Sequence, residues 1–96
     1  MDRVGVSFKS SLSSDEIRRQ FVQPLREAIE TPRAGIYSNY LRQADDRDPA
    51  APSEHLLMFH VLDFEQGLRL LRTALESLGP PQELRFHNLD PSQPMY

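Results

Sequence analysis

The chain has 96 residues, 11 Lys and Arg against 14 Asp and Glu for a net charge of −3, and no cysteine. That length makes one domain, residues 1–96, which hides only about 60–70% of the surface its unfolded chain exposes; it leaves room for one two-layer core and none for a deep interdomain cleft. The missing cysteines exclude disulfides, thiolate zinc sites and cysteine nucleophiles. The scattered cations, with Lys9 the only lysine, argue against bulk phosphate binding and against a polybasic membrane anchor.

Val4, Val6 and Phe8 alternate with Arg3, Gly5 and Ser7, the period of a half-buried strand. The stretch also lacks the apolar run of a signal peptide. Ser13 and Glu16 then stand three apart, ahead of an apolar periodic run, which is the pattern of a capping box. Ile17, Phe21, Leu25 and Ile29 follow at steps of four, with Val22 and Ala28 beside them. One apolar stripe on a helix over about residues 15–30 is therefore expected. Pro24 removes the bond to the carbonyl of Gln20, so the helix should be kinked but continuous, because the stripe stays in phase.

Residues 34–42 read as a second strand with mixed faces, which suits a sheet edge. Residues 43–54 contain Asp45, Asp46, Asp48, Pro49 and Pro52 and are expected to form a mobile, acidic hairpin loop. They lack the D-x-D-x-D-G register of a calcium loop. Residues 55–62 are the most apolar strand: Leu57, Phe59 and Val61 face one way, and Leu56, Met58, His60 and Leu62 the other. This stretch is too short to span a bilayer. Asp63 and Gln66 repeat the capping logic before a stripe of Phe64, Leu68, Leu71, Leu75 and Leu78, which Gly79, Pro80 and Pro81 terminate. Residues 83–88 form the last strand, with Leu84 and Phe86 inward and Arg85 and His87 outward, and residues 89–96 form a polar tail.

The order β-α-β-β-α-β is that of the split βαβ unit. Right-handed crossovers place both helices on one side of one antiparallel four-stranded sheet, in the order 4-1-3-2. In this arrangement residues 3–88 resemble ferredoxin-like domains, α+β two-layer sandwiches. The resemblance is one of topology and implies no particular activity, because the fold hosts many functions.

The predicted sheet has a second face with no helix on it. Strand alternation lines it with Gly5 and Ser7, with Leu56, Met58, His60 and Leu62, and with Arg85 and His87. One set from the second strand joins them, either Tyr37 with Asn39 or Ser38 with Tyr40. His60 and His87 have one strand between them, roughly 10 Å at the backbone, and no acidic residue is placed to complete a metal site. Neither a metal nor a cofactor is therefore expected. Arg3, Arg85 and His87 form a cationic rim, read first as solubilising charge. RNA-recognition domains share this topology but carry a basic-Gly-aromatic pattern on the third strand. Here that strand reads His55-Leu-Leu-Met-Phe-His-Val-Leu62, and the match fails.

There is no Gly-rich phosphate loop, nucleophile elbow or H-E-x-x-H motif. The serines at 10–14 read as a cap and linker. The expectation is a cytoplasmic, bacterial-style, non-enzymatic interaction or regulatory domain, with no nucleic-acid or membrane partner. It acts through the open face: Ser7, Leu56, Met58, His60, Leu62, Arg85 and His87. Contiguous apolar area of that kind marks an interface, which points to a homodimer or a protein partner. The competing cover is the tail with Met95 and Tyr96. Two other readings fit the same residues: a binder of one protein, such as a toxin-immunity protein, and a small dimeric ferredoxin-like enzyme or ligand-binding domain. The latter would use His60, His87 and Arg85 on a small-molecule ligand.

Overall fold

The computed structural model describes residues 1–48 and 50–89. Its elements run β1 (Asp2–Ser10), α1 (Ser14–Ile17), a π-helical turn (Arg18–Val22), α2 (Gln23–Glu30), β2 (Gly35–Gln43), β3 (Ser53–Val61), α3 (Phe64–Leu78) and β4 (Gln82–Asn88). The sheet order is β2-β3-β1-β4, the expected order read from the other edge. All three pairings are antiparallel. The architecture is α+β, with the helices on one side of a four-stranded sheet. No helix among the described residues is long and apolar enough to cross a membrane.

The first helical region follows from its sequence. The Glu16 amide donates to Ser13 Oγ at 3.2 Å and the Ser13 amide donates to Glu16 Oε1 at 3.1 Å, closing the capping box. α1, the π turn and α2 run on without a break in αR geometry. Just before Pro24 the Gln23 amide reaches back five residues to the Arg18 carbonyl. The sequence suggests a kink there; the chain instead widens one turn, which relieves the clash of the proline ring with the preceding turn. At the start of α3, Asp63 caps through the Glu65 amide at 3.1 Å, and Gln66 takes no part. Gly79 (φ 89°) ends the helix.

The core lies between sheet and helices. Val4, Val6 and Phe8 of β1 and Leu57, Phe59 and Val61 of β3 meet Ile17, Phe21, Leu25, Ile29, Leu71 and Leu75. Phe8 and Phe21 pack with ring centroids 4.8 Å apart.

Two strands depart from simple alternation. In β2, Tyr37 pairs with Phe59 and Asn39 with Met58, so Ser38 is an extra, bulged residue. The bulge turns both Tyr37 and Tyr40 toward the core and sends Ile36, Asn39 and Leu41 to the open face. Neither face assigned to this strand from its sequence is therefore correct, because a single inserted residue flips the parity midway. At β4 the register shifts between Ser7 and Lys9, where Glu83 adopts φ 54°. β3 also begins earlier than its apolar run, at Ser53, and ends at Val61; Leu62 follows it, with its amide still donating to the Ala34 carbonyl at 2.9 Å.

Candidate functional site

The open face is built from four outward rows fixed by strand register. β2 contributes Ile36, Asn39, Leu41 and Gln43; β3 contributes Glu54, Leu56, Met58 and His60. β1 contributes Arg3, Gly5, Ser7 and Lys9, and β4 contributes Arg85 and His87, continued by Leu89. The β2–β3 half mixes four aliphatic side chains, Ile36, Leu41, Leu56 and Met58, with four polar ones, and the β1–β4 half is mainly polar. Leu56, Met58 and His60 are half-buried. Ile36, Leu41 and Leu62 are 52%, 51% and 66% exposed.

The residues expected on this face do not all gather in one place. Ser7 and His87 do: Ser7 Oγ and His87 Nε2 lie 2.7 Å apart. His60 is opposite Arg3, while His87 is opposite Gly5, so the two imidazoles stand on different rows and on either side of β1. Arg85 points outward and exposed beside them. Among the described residues no three His, Asp or Glu side chains stand close enough to share a metal ion.

Leu89 belongs to the face rather than to a tail. Its amide donates to the Arg3 carbonyl at 2.9 Å, extending the β1–β4 ladder. Its side chain lies over Gly5, where an added Cβ would stand 2.8 Å from Leu89 Cδ1 and 3.1 Å from Leu56 Cδ1. The absent side chain of Gly5 thus lets two leucines close over β1. Ser7, beside them, is only 4% exposed although no helix covers it. The expectation that the tail folds back over the sheet falls, beyond Leu89, outside the described residues.

Between the β2–β3 leucines and the β4 row runs a groove of about 530 Å³. Leu41, Leu56 and Leu89 form its walls, Ser7 and His87 its floor, and Arg42, Gln43 and Glu54 its rim. His60 and Arg85 lie outside it. The Ser7–His87 pair holds one O–H and one N–H and spends one of them on its own bond. In either tautomer it therefore keeps one donor for another acceptor. Among the described residues His87 has no carboxylate partner, the group that orients the base of a serine hydrolase. As it stands, the pair is a strut joining β1 to β4.

Charge is distributed unevenly along the strands. At one end of the face stands Arg3; at the sheet edge nearby, Arg33 shares a hollow with Ile36, Leu62 and the Arg26–Glu30 ion pair of α2. At the other end Lys9, Gln43 and Glu54 share a hollow with Asp45, Asp46 and Arg47 of the acidic loop. Lys9 is already engaged by Glu83 at 3.4 Å. Arg3, Arg33, Asp46 and Glu54 make no ion pair among the described residues.

A second polar cluster, which the sequence did not reveal, lies on the core side of the sheet. His55 is fully buried. Its Nε2 lies 3.1 Å from the Ser10 carbonyl oxygen, and its Nδ1 lies 2.6 Å from the Tyr40 hydroxyl. A carbonyl only accepts, so Nε2 carries the proton and Tyr40 donates to Nδ1. Burial lowers the imidazole pKa below its ordinary value; the Ser10 carbonyl opposes the shift and Arg42 adds to it. Tyr40 stacks on His55, and the Arg18 guanidinium sits 5.5 Å from the Tyr40 ring centre. Parity with Leu57 and Phe59 already pointed His55 inward. Its partner was hidden because the Ser38 bulge decides where Tyr40 points.

Compared with models of known protein families, with curated proteins and with solved structures, the chain finds no match.

Proposed function

We propose that the protein is a non-enzymatic interaction domain that works through its open sheet face by pairing with a second copy of itself. The observation that carries this reading is the outward aliphatic set of the β2–β3 half. Ile36, Leu41 and Leu62 stand in solvent beside half-buried Leu56 and Met58. Scattered exposed leucines are ordinary, but a contiguous apolar area on an uncovered sheet face favours a covered state.

The face is large enough. Four strands about 4.8 Å apart, three of nine residues and one of seven, make a surface of roughly 550 Å² before side-chain relief. Relief brings this toward the roughly 800 Å² per partner of a standard interface.

The test is sedimentation of the wild-type chain beside Leu41→Asp and Met58→Asp. Leu41 is half exposed, so its replacement should leave the monomer folded. A two-fold interface buries each new carboxylate twice, and dissociation should become at least roughly a hundredfold easier. A wild-type chain that stays monomeric near millimolar concentration, or variants that associate like wild type, would overturn the reading.

The groove over Ser7 and His87 supports a second reading. Its volume and its apolar walls around a free donor suit a small, mostly apolar ligand bearing one acceptor. Thermal shift against a metabolite panel, repeated with Ser7→Ala, tests it. A Ser7-dependent shift supports it, and no shift across the panel removes it.

A further inference from the structure

Resting on the dimer reading above, we infer that the second copy docks with its strands antiparallel to the first. The arginine end of each open face then lies over the acidic end of the other. Two sheets packed face to face either keep their strands nearly aligned or cross them near a right angle; in the aligned arrangement a closed two-fold pair has two choices of axis in the plane between them.

An axis along the strands swaps left for right and keeps the ends together. It sets the β2–β3 half, which holds most of the aliphatic side chains, on the polar β1–β4 half, and it brings Arg3, on central β1, toward its own copy. Both consequences are unfavourable. An axis across the strands reverses the ends and keeps the halves. With that axis at Leu57, the Leu41–Leu56 row of one copy meets the Asn39–Met58 row of the other, so Leu41, Leu56 and Met58 of both copies gather about the axis. Arg3 and Arg33 overlie the partner's end that holds Asp46 and Glu54. On β3, His60 and Glu54 each stand three residues from Leu57, the partner of the central β1 residue Val6. The same axis therefore brings His60 of each copy to Glu54 of the other. Of the two cations at the acidic end, Lys9 is engaged by Glu83 at 3.4 Å, and Arg47 stands among Asp45, Asp46 and Glu54, which outnumber it.

Such rim charges select orientation and partner more than they add affinity, because like-charge juxtaposition is what the wrong arrangement suffers. Charge exchange tests the arrangement. Four samples are compared by sedimentation at about 50 mM salt: wild type, Arg3→Glu with Arg33→Glu, Asp46→Lys with Glu54→Lys, and an equimolar mixture of the two variants. All four substituted side chains lie outside the core, and circular dichroism confirms that each variant is folded.

Each variant alone should dimerise about tenfold more weakly than wild type. The mixture should return close to wild-type affinity, since the reversed end of each variant faces the reversed end of the other with opposite charge, and only one of the two His60–Glu54 contacts is not restored. In about 0.5 M salt the differences should shrink several-fold. If wild type dimerises but the variants match it, or if the mixture is no tighter than either variant alone, the antiparallel docking is wrong while the dimer stands. If wild type does not dimerise, the dimer reading itself falls.

Discussion

Lowering the pH should destabilise the protein through one side chain, His55. In the folded chain its imidazole is buried, gives its one proton to the Ser10 carbonyl and accepts from Tyr40. A second proton would put a charge into the core, so the folded pKa lies below the ordinary 6.5. Between that lowered value and 6.5 the unfolded chain binds more protons than the folded one, so stability falls as pH falls. The contribution is complete above about 6.5 and drains away as pH drops through the folded pKa. One proton sets a ceiling of about 1.4 kcal/mol per pH unit. For a domain near 100 residues that ceiling corresponds to no more than roughly 6–10 °C of melting temperature per pH unit.

The assay is urea unfolding at pH 7.5, 6.5 and 5.5 for wild type and His55→Gln. Chain concentration is held fixed, because association adds stability by mass action. Wild type should lose midpoint at constant m-value, whereas His55→Gln, weaker throughout, should stay nearly flat. Glu16 and Glu30 do not confuse this window. Hydrogen bonds from the Ser13 and Tyr37 amides lower both carboxyls below their ordinary 4.5, so what they contribute is lost only as pH falls beneath that value. Equal slopes in wild type and His55→Gln would refute the assignment.

Tyr40→Phe leaves His55 Nδ1 buried without a donor and should cost about 1–2 kcal/mol in denaturant unfolding. Tyr37→Phe removes a hydroxyl that makes no hydrogen bond among the described residues and should cost less than about 0.5 kcal/mol; equal costs would contradict the network. Gly67→Ala, otherwise a favourable exchange in a helix, should destabilise by about 1–3 kcal/mol. The new Cβ would stand 2.6 Å from Cγ1 and 2.9 Å from Cβ of buried Val61, and a rise in melting temperature would show that α3 can move away from β3.

The fold was legible in the sequence because its local signals agree. The capping box at Ser13 and Glu16, the stripe from Ile17 to Ile29, the alternation of Val4, Val6 and Phe8 and the stop at Gly79 all favour one element order. The open face was legible only where alternation is unbroken. On β1 and β3, parity alone places Ser7, Leu56, Met58 and His60 outward. On β2 it fails, since the Ser38 bulge reverses sidedness at a single backbone step that no side-chain pattern marks. The exposed Leu41 and Ile36, and with them much of the aliphatic set of the β2–β3 half, were therefore missed, as was the Tyr40–His55 bond. Leu89 was hidden for a different reason: one leucine among polar residues reads as tail until Gly5 is seen to lie beneath it. The Ser7–His87 pair is 80 positions apart in the chain and becomes neighbours only through β1–β4 pairing.

Small-angle scattering on the wild-type chain over a concentration series examines the open face most directly. A single copy has a Cα radius of gyration of 13.3 Å. Two copies packed sheet to sheet, with sheets about 10 Å apart and centres about 20 Å apart, should reach roughly 17 Å. Forward scattering should rise to that of twice the 11.1 kDa chain. A radius that stays near that of one copy, with single-chain forward scattering at the highest concentration, would contradict the account.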